Sequence, residues 1–330
     1  MTFESAPPES GRAEPMRITV LAGGVGAARF LDGLCRAVDP ASVTAVCNVG
    51  DDFAWHGLHV SPDIDTVIYT LAGLEGEQGW GLLGDSLATL GELERLGEEP
   101  WFQVGDRDLA THVWRTARLR EGRPLSEVTA QLARRRGLRL GVLPASDDPH
   151  PTVVVTPQGP LAFQDYFVRG RAKADVIGIE LPGAAAARPA PGVLEAVSEA
   201  GLVVVAPSNP FVSIEPVLAV PGLRDALRRS AAARVAVSPI VGGAAVKGPA
   251  AAMLRTLGHE VSALGVARIY AGLVDGFVLD ETDRALAPAV EALGLRAIVT
   301  ETMMTSPERR AALAARVVAA AGALREGRAR

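Results

Sequence analysis

Arg17-Ile18-Thr19-Val20-Leu21-Ala22-Gly23-Gly24-Val25-Gly26-Ala27-Ala28-Arg29-Phe30 decides the fold. The apolar run 17–21 enters a glycine turn, and Phe30, Leu31, Leu34 and Ala37 then recur at helical spacing, so the stretch spells strand, loop and helix. Residues 43–47 supply a second strand. The same rhythm returns from Gly201 onward, where 202–206, 234–237, 276–279 and 296–299 are apolar strand-like runs separated by helical stretches. Such alternation specifies an α/β protein with a parallel, doubly wound sheet.

Between these two blocks the pattern changes. Residues 67–136 are mostly helical by periodicity, with Ser126 as an expected cap and Gly137 closing the helix that follows it. Residues 152–156 and 161–168 are rich in β-formers around Pro157-Gln158-Gly159-Pro160, a hairpin signal that adds antiparallel strands to the sheet. We therefore expect one domain over 16–330 with a mainly helical and hairpin insertion around 67–175. The last helix opens at Thr305-Ser306-Pro307-Glu308, which combines a cap with a first-turn proline.

Composition narrows the function. The 330 residues are 48 % hydrophobic but only 5 % aromatic, so the core is built from Ala, Val, Leu and Ile. A net charge of -5 provides no broad basic field and argues against nucleic acid as a partner, while nucleotides stay possible as small ligands. Two cysteines, Cys35 and Cys47, exclude a disulfide scaffold and fit a reducing compartment. Residues 1–15 hold prolines, glutamates and small polar residues without a secretory pattern, and read as a disordered extension. No apolar run reaches the roughly 20 residues of a membrane span, so a soluble, cytoplasmic protein is expected.

The polar motifs sit where strand-like runs end, and in an open parallel sheet such loops converge on one crevice. Gly23, Gly24 and Gly26 permit close approach of backbone to a phosphate at a helix start, or simply form a tight turn. Asp51, Asp52, Asp63 and Asp65 place four carboxylates within 15 residues on loops. Carboxylates in that density suit a divalent cation that also holds phosphate oxygens, so a metal or catalytic role is expected for at least two of the four, with Asp63 or Asp65 as the alternative cap of a helix starting near Thr66. Arg107, in Gly105-Asp106-Arg107-Asp108, is either a structural ion pair or a phosphate contact. His112 lies in a helix, where an ordinary packed histidine is expected. Arg169, Arg171 and Lys173 fall at every second position, so an extended backbone aligns three cations for an anion or for a solvated edge strand. Ser208, Asn209 and Ser213 follow a very apolar strand, and Ser238, Gly242, Gly243 and Lys247 form a comparable loop able to meet phosphate.

Taken in order, Gly23 to Phe30, Asn48-Val49-Gly50-Asp51-Asp52, Ser61-Pro62-Asp63-Ile64-Asp65-Thr66, Gly105 to His112, Ala145-Ser146-Asp147-Asp148-Pro149, Pro207-Ser208-Asn209-Pro210, Ser238 to Gly243 and Met303-Met304-Thr305 resemble the 2-phospho-L-lactate transferase family over about residues 16–322. The resemblance implies a Rossmann-like, three-layer α/β/α fold, a Mg²⁺ requirement, a homodimer and a step in coenzyme F-420 biosynthesis. In that step a phospholactyl or phosphoenolpyruvyl group passes from a guanosine diphosphate-type donor to the ribityl hydroxyl of 7,8-didemethyl-8-hydroxy-5-deazariboflavin (Fo), and GMP leaves. By motif match Asp65 and Asp52 are the expected catalytic residues, and Asp52, Asp63 and Asp65 the expected metal ligands. Asn48, Arg107, Arg169, Ser208, Asn209, Ser213, Gly242 and Lys247 join the glycines as expected nucleotide or substrate contacts. Gln103 stands where methanogen members often carry lysine, and the glycine loop is more similar to the actinobacterial branch, associated with the enolpyruvyl donor. The rival reading is a related Rossmann-like regulator that binds nucleotide sugars. An NAD-dependent dehydrogenase is excluded because Gly23-Gly24-Val25-Gly26-Ala27-Ala28 lacks the Gly-x-Gly-x-x-Gly order.

Overall fold

Seven strands form the central sheet of this computed structural model, which describes residues 15–328. They are β1 (Ile18–Ala22), β2 (Val43–Cys47), β3 (Gly141–Pro144), β4 (Leu202–Val205), β5 (Ala233–Val237), β6 (Gly276–Asp280) and β7 (Arg296–Thr300). Their order is β3-β2-β1-β4-β5-β6-β7, and every pairing is parallel. β1 lies between its partners with Ile18 opposite both Val43 and Leu202. All residues of β1, β4, β5 and β6 are buried, the state of strands covered on both faces.

Alternate side chains feed two cores. Val20, Val204 and Val235 join one cluster, while Leu21, Val203 and Ala236 join the other. On the first face pack α1 (Gly24–Ala37), α2 (Pro62–Leu71), α4 (Leu125–Arg135) and α5 (Pro307–Arg328), with α3 (Asp106–Arg120) leading into α4. α1 and α5 cross so closely that a Cβ on Gly33 would lie 2.1 Å from the Arg310 carbonyl oxygen. Helices Val193–Ser198, Leu223–Arg229 and Ala263–Tyr270 cover the other face. The result is the Rossmann-like three-layer arrangement.

The strand order reverses between β1 and β4. Chain direction turns outward on both sides there, which leaves a crevice beyond their carboxyl ends. Two insertions rise beside it: the hairpin Phe53–Trp55 with Leu58–Val60, and a three-stranded antiparallel sheet in the order Gly159–Ala162, Val153–Thr156, Gly178–Glu180.

Local expectations need five corrections. The hairpin around Pro157 forms, but in that separate sheet and not as an extension of the central one. Its second arm ends at Ala162; the chain then coils into a π-helical turn, Asp165–Arg169, because Phe163 and Tyr166 bury into a small core with Val154 and Met253. Arg171 and Ala172 follow with φ of 52° and 51°, so Arg169, Arg171 and Lys173 are not an extended stripe of cations. Ser126 does not cap its helix: Asp147 does, accepting from the Ser126 backbone N–H at 2.6 Å and from its hydroxyl at 2.8 Å. Finally, α2 begins at Pro62, so neither Asp63 nor Asp65 is its cap; both lie in its first turn. Gly137, at φ 79°, closes α4 as expected. The expected disordered extension, apart from Pro15, lies outside the described residues.

Candidate active site

The crevice holds a cavity of about 750 Å³. Its floor is the junction of the loops after β1 and β4. The Ser208 hydroxyl donates to the Gly23 carbonyl at 2.7 Å, and a Cβ on Gly26 would sit 2.2 Å from the Pro207 carbonyl oxygen. Gly23 is equally confined, with its would-be Cβ 2.6 Å from that of Ser213 and 2.8 Å from Asp63 Oδ2. The glycines are thus demanded by packing between the two loops. α1 starts at Gly24 with no side-chain cap from Gly23 and no acid in its own first turn; Asp63 accepts from the Gly24 N–H, and the rest of this positive helix end faces the cavity.

Beneath this floor Asn48 is fully buried and gathers three segments. Its Nδ2 donates to Asp51 Oδ1 at 3.1 Å, Asp63 Oδ2 at 2.9 Å and the Val212 carbonyl at 3.1 Å, while its Oδ1 accepts from the Gly50 N–H. Asp51 and Asp63 both line the cavity and face no cation of their own. Burial first, then Asp63, pushes Asp51 well above the usual carboxylate range. Burial, with Asp52 adding to it, raises Asp63 to about 7 in spite of its bonds from Asn48 and the Gly24 N–H. Two buried carboxylates that resist ionisation together are a site lacking positive charge.

Asp65 differs. Arg115, only 1 % exposed, grips both its oxygens, Nη1 to Oδ2 at 3.1 Å and Nη2 to Oδ1. Arg115 Nη1 also donates to His112 Nδ1 at 3.3 Å, which leaves the imidazole proton on Nε2, 3.5 Å from Asp108 Oδ1. That Nε2 is buried without a hydrogen-bond partner, and Tyr69 donates to Asp108 at 2.7 Å. Burial drives His112 down to about 4, and burial followed by Asp65 raises Asp108 to about 7. Asp65, Asp108 and His112 bring one ligand atom each within 4.8 Å of one another, a possible metal-binding triad.

The other expected residues divide. Ser208, Asn209, Ser213, Arg169 and Lys247 line the cavity, with Gly23, Gly24 and Gly26. Lys247 donates to the Gln78 carbonyl, and burial followed by Arg29 lowers its pKa. Asn48 lies one layer below. Asp52 is not on the wall; it accepts from Ser61 at 2.7 Å and meets His59 Nε2 at 2.9 Å. Arg107 is turned away, donating to the Leu83 carbonyl at 3.1 Å, and Gly242 belongs to a small hairpin turn whose N–H is held by Asp283. Neither cysteine lines the cavity, and burial raises both thiols far above neutrality, Cys35 to about 12, which disfavours the thiolate. Sequence reading missed Asp108, Arg115 and the aromatic residues Trp101, Phe102, Phe163 and Phe167 on one flank.

Fold and site together define a Rossmann-like α/β enzyme whose cavity unites a glycine loop with buried acids. A profile of the 2-phospho-L-lactate transferase CofD family matches residues 18–311, and the chain belongs to that family of transferases. It is 46 % identical over 306 residues to a phosphoenolpyruvate transferase of Streptomyces griseus, covering 91 % of this chain and 96 % of that one. It is 41 % identical over 300 residues to a 2-phospho-L-lactate transferase of Methanosarcina acetivorans, covering 91 % and 97 %. Among solved structures, a upf0052-family protein of Bacillus halodurans shares the fold, with a TM-score of 0.61 at 17 % identity over 93 % of this chain and all of that one. No helix among the described residues is long and apolar enough to cross a membrane.

Proposed function

We propose that this enzyme transfers a phospholactyl or phosphoenolpyruvyl group from a guanosine diphosphate-type donor to the terminal ribityl hydroxyl of Fo, and releases GMP. The observation that carries this reading is that one cavity is lined by two kinds of residue: the aromatic Trp101, Phe102 and Phe167, and the polar set of the glycine loop, Ser208 and Lys247. A tricyclic acceptor suits the first and a diphosphate the second. Both names carried by the relatives describe this type of transfer.

The acceptor oxygen attacks the phosphorus that bears the organic acid; the bond from that phosphorus to the oxygen of GMP breaks, and GMP leaves with the electron pair. Charge spreads over the phosphate oxygens, which the α1 N-terminus and Lys247 are placed to receive. Mg²⁺, when bound, would neutralise those oxygens. Asp51 and Asp63 fit it as hard oxygen ligands in need of positive charge, whereas Asp65 already has Arg115. Asp65, fixed by Arg115 on the cavity wall, accepts a hydrogen bond from the attacking hydroxyl and orients it, and the hydroxyl proton passes to solvent or to the departing GMP phosphate as the new P–O bond forms. Asp52 acts at one remove, through Ser61 and His59.

The test is incubation of the protein and Mg²⁺ with Fo and an equal mixture of synthetic lactyl and enolpyruvyl donors, followed by mass spectrometry. Phosphodiester product with stoichiometric GMP is the expected result, and the ratio of products identifies the donor. Failure to retain Fo, with binding of a nucleotide sugar in its place, would return the protein to the regulator class.

A further inference from the structure

The aromatic flank of the cavity has two walls from distant parts of the chain. One is the stretch between helix Ala88–Arg95 and α3, where Trp101 and Phe102 lie 5.5 Å apart and lean on Phe53 of the hairpin at 6.1 and 4.8 Å. The other is the π-helical turn Asp165–Arg169, where Phe167 stacks on Phe163 at 5.5 Å with planes 11° apart.

Arg169 reaches from the second wall to the first. The Arg169 guanidinium lies over the Trp101 ring, 4.4 Å from its centroid. Its Nε is 3.4 Å from Glu99 on that same wall, and its Nη1 is 2.9 Å from Asp165 on its own. Both acids that face Arg169 are therefore engaged, and one face of its planar group is spent on the indole. An arginine poised to receive a phosphate would keep its fork free; this one is already committed across the gap.

Backbone geometry adds a reason for such a tie. The turn ends in Arg171 and Ala172, both left-handed, a conformation that is costly for residues with a Cβ. Short backbone bonds from Gly170 N–H to the Asp165 carbonyl at 2.7 Å and from Ala172 N–H to the Tyr166 carbonyl at 2.9 Å close the turn, with longer ones from Arg171 N–H to the Val168 carbonyl at 3.3 Å and from Lys173 N–H to the Gly170 carbonyl at 3.2 Å. Its outer residue Phe167 is 38 % exposed. A segment under local strain with an exposed aromatic tip holds a fixed position when something ties it to its neighbour.

We propose that Arg169 is a positioning residue, which sets the separation of the two aromatic walls and so holds a flat aromatic acceptor between them. The inference rests on the transfer reaction proposed above. It assigns Arg169 to the acceptor, not to the anionic donor.

Steady-state kinetics and Fo fluorescence titrations of the wild type, Arg169→Ala, Arg169→Lys, Trp101→Ala and the double variant test it. Arg169→Ala raises KM and Kd for Fo about five- to tenfold, with kcat and the donor KM changed less than twofold. Trp101→Ala does the same, and the double variant is no worse than the worse single one, since both act through one contact. Arg169→Lys recovers less than half of the loss, because lysine lacks the planar face. A rise in donor KM instead, additive effects in the double variant, or full rescue by lysine would each overturn the assignment. If the wild type binds no Fo at all, the reaction itself is wrong and the inference falls with it.

Discussion

Replacing Asp65 by alanine separates a structural role from a chemical one. Its partner Arg115 has a side chain only 1 % exposed, and Asp65 is 6 % exposed, so the pair is inside the protein. Removing one member of such a pair leaves a buried charge uncompensated and costs about 3–5 kcal/mol. A domain has about 5–15 kcal/mol in total, so the variant should remain folded but visibly weakened. At about 2 °C per kcal/mol for a chain of this size, the midpoint falls by about 6–10 °C. Thermal melts followed by circular dichroism measure this directly. Asp65→Ala combined with Arg115→Met, which replaces the stranded charge with an apolar side chain, should recover at least half of the loss. If Asp65→Ala melts within about 1 °C of the wild type, or the double variant is less stable than the single, the ion pair is not the anchor described here. Loss of transfer in the stabilised double variant then reports orientation of the acceptor hydroxyl, free of unfolding.

Asp63→Asn should behave in the opposite sense. The folded pKa of Asp63 lies near 7, above the ordinary 3.8, so the native state holds this proton through that window and loses stability as pH rises from about 4 to about 7. The asparagine variant therefore gains on the wild type across the same window in metal-free urea titrations; a constant difference from pH 4 to 7 would refute this. Mg²⁺ should raise the melting temperature of the wild type but not of Asp63→Asn, and EDTA should stop transfer without changing the circular dichroism spectrum. An equal Mg²⁺ shift in both proteins would remove Asp63 from the ligand set. Gly26→Ala, with its Cβ 2.2 Å from the Pro207 carbonyl, should cost about 1–3 kcal/mol by forcing the β1 and β4 loops apart. An unchanged denaturation midpoint would show that the loops yield freely.

The sheet was legible because a parallel strand covered on both faces needs a nearly continuous apolar run, and 18–22, 202–205, 233–237 and 276–280 provide one, interrupted by Thr19, Arg234 and the terminal Asp280. The crevice followed from the motifs that end those runs. Other features depend on contacts that local patterns do not encode. Arg115 sits in Trp114-Arg115-Thr116-Ala117-Arg118 beside an arginine half out in solvent, and nothing nearby marks it as buried. The available signal was the spacing of Asp108, His112 and Arg115, which places an acid, an imidazole and a guanidinium on one helical face. The same rotation carries Arg107 away from Asp108 and out of the cavity. Residues 163–168 misled because Phe163, Phe167 and Val168 are good β-formers, and their conformation is set by burial of Phe163 and Tyr166 against distant Val154 and Met253.

Asn48 has two amide hydrogens and offers them to three acceptors, Asp51, Asp63 and the Val212 carbonyl. Two hydrogens shared among three acceptors leave Asp51 and Asp63 short of positive charge. A donor carrying two phosphates would add repulsion to that deficit, whereas a cation relieves it. The proposed reaction would then run with ordered entry, metal ahead of or together with the nucleotide, and donor affinity measured by calorimetry without Mg²⁺ should fall while affinity for the uncharged Fo stays level.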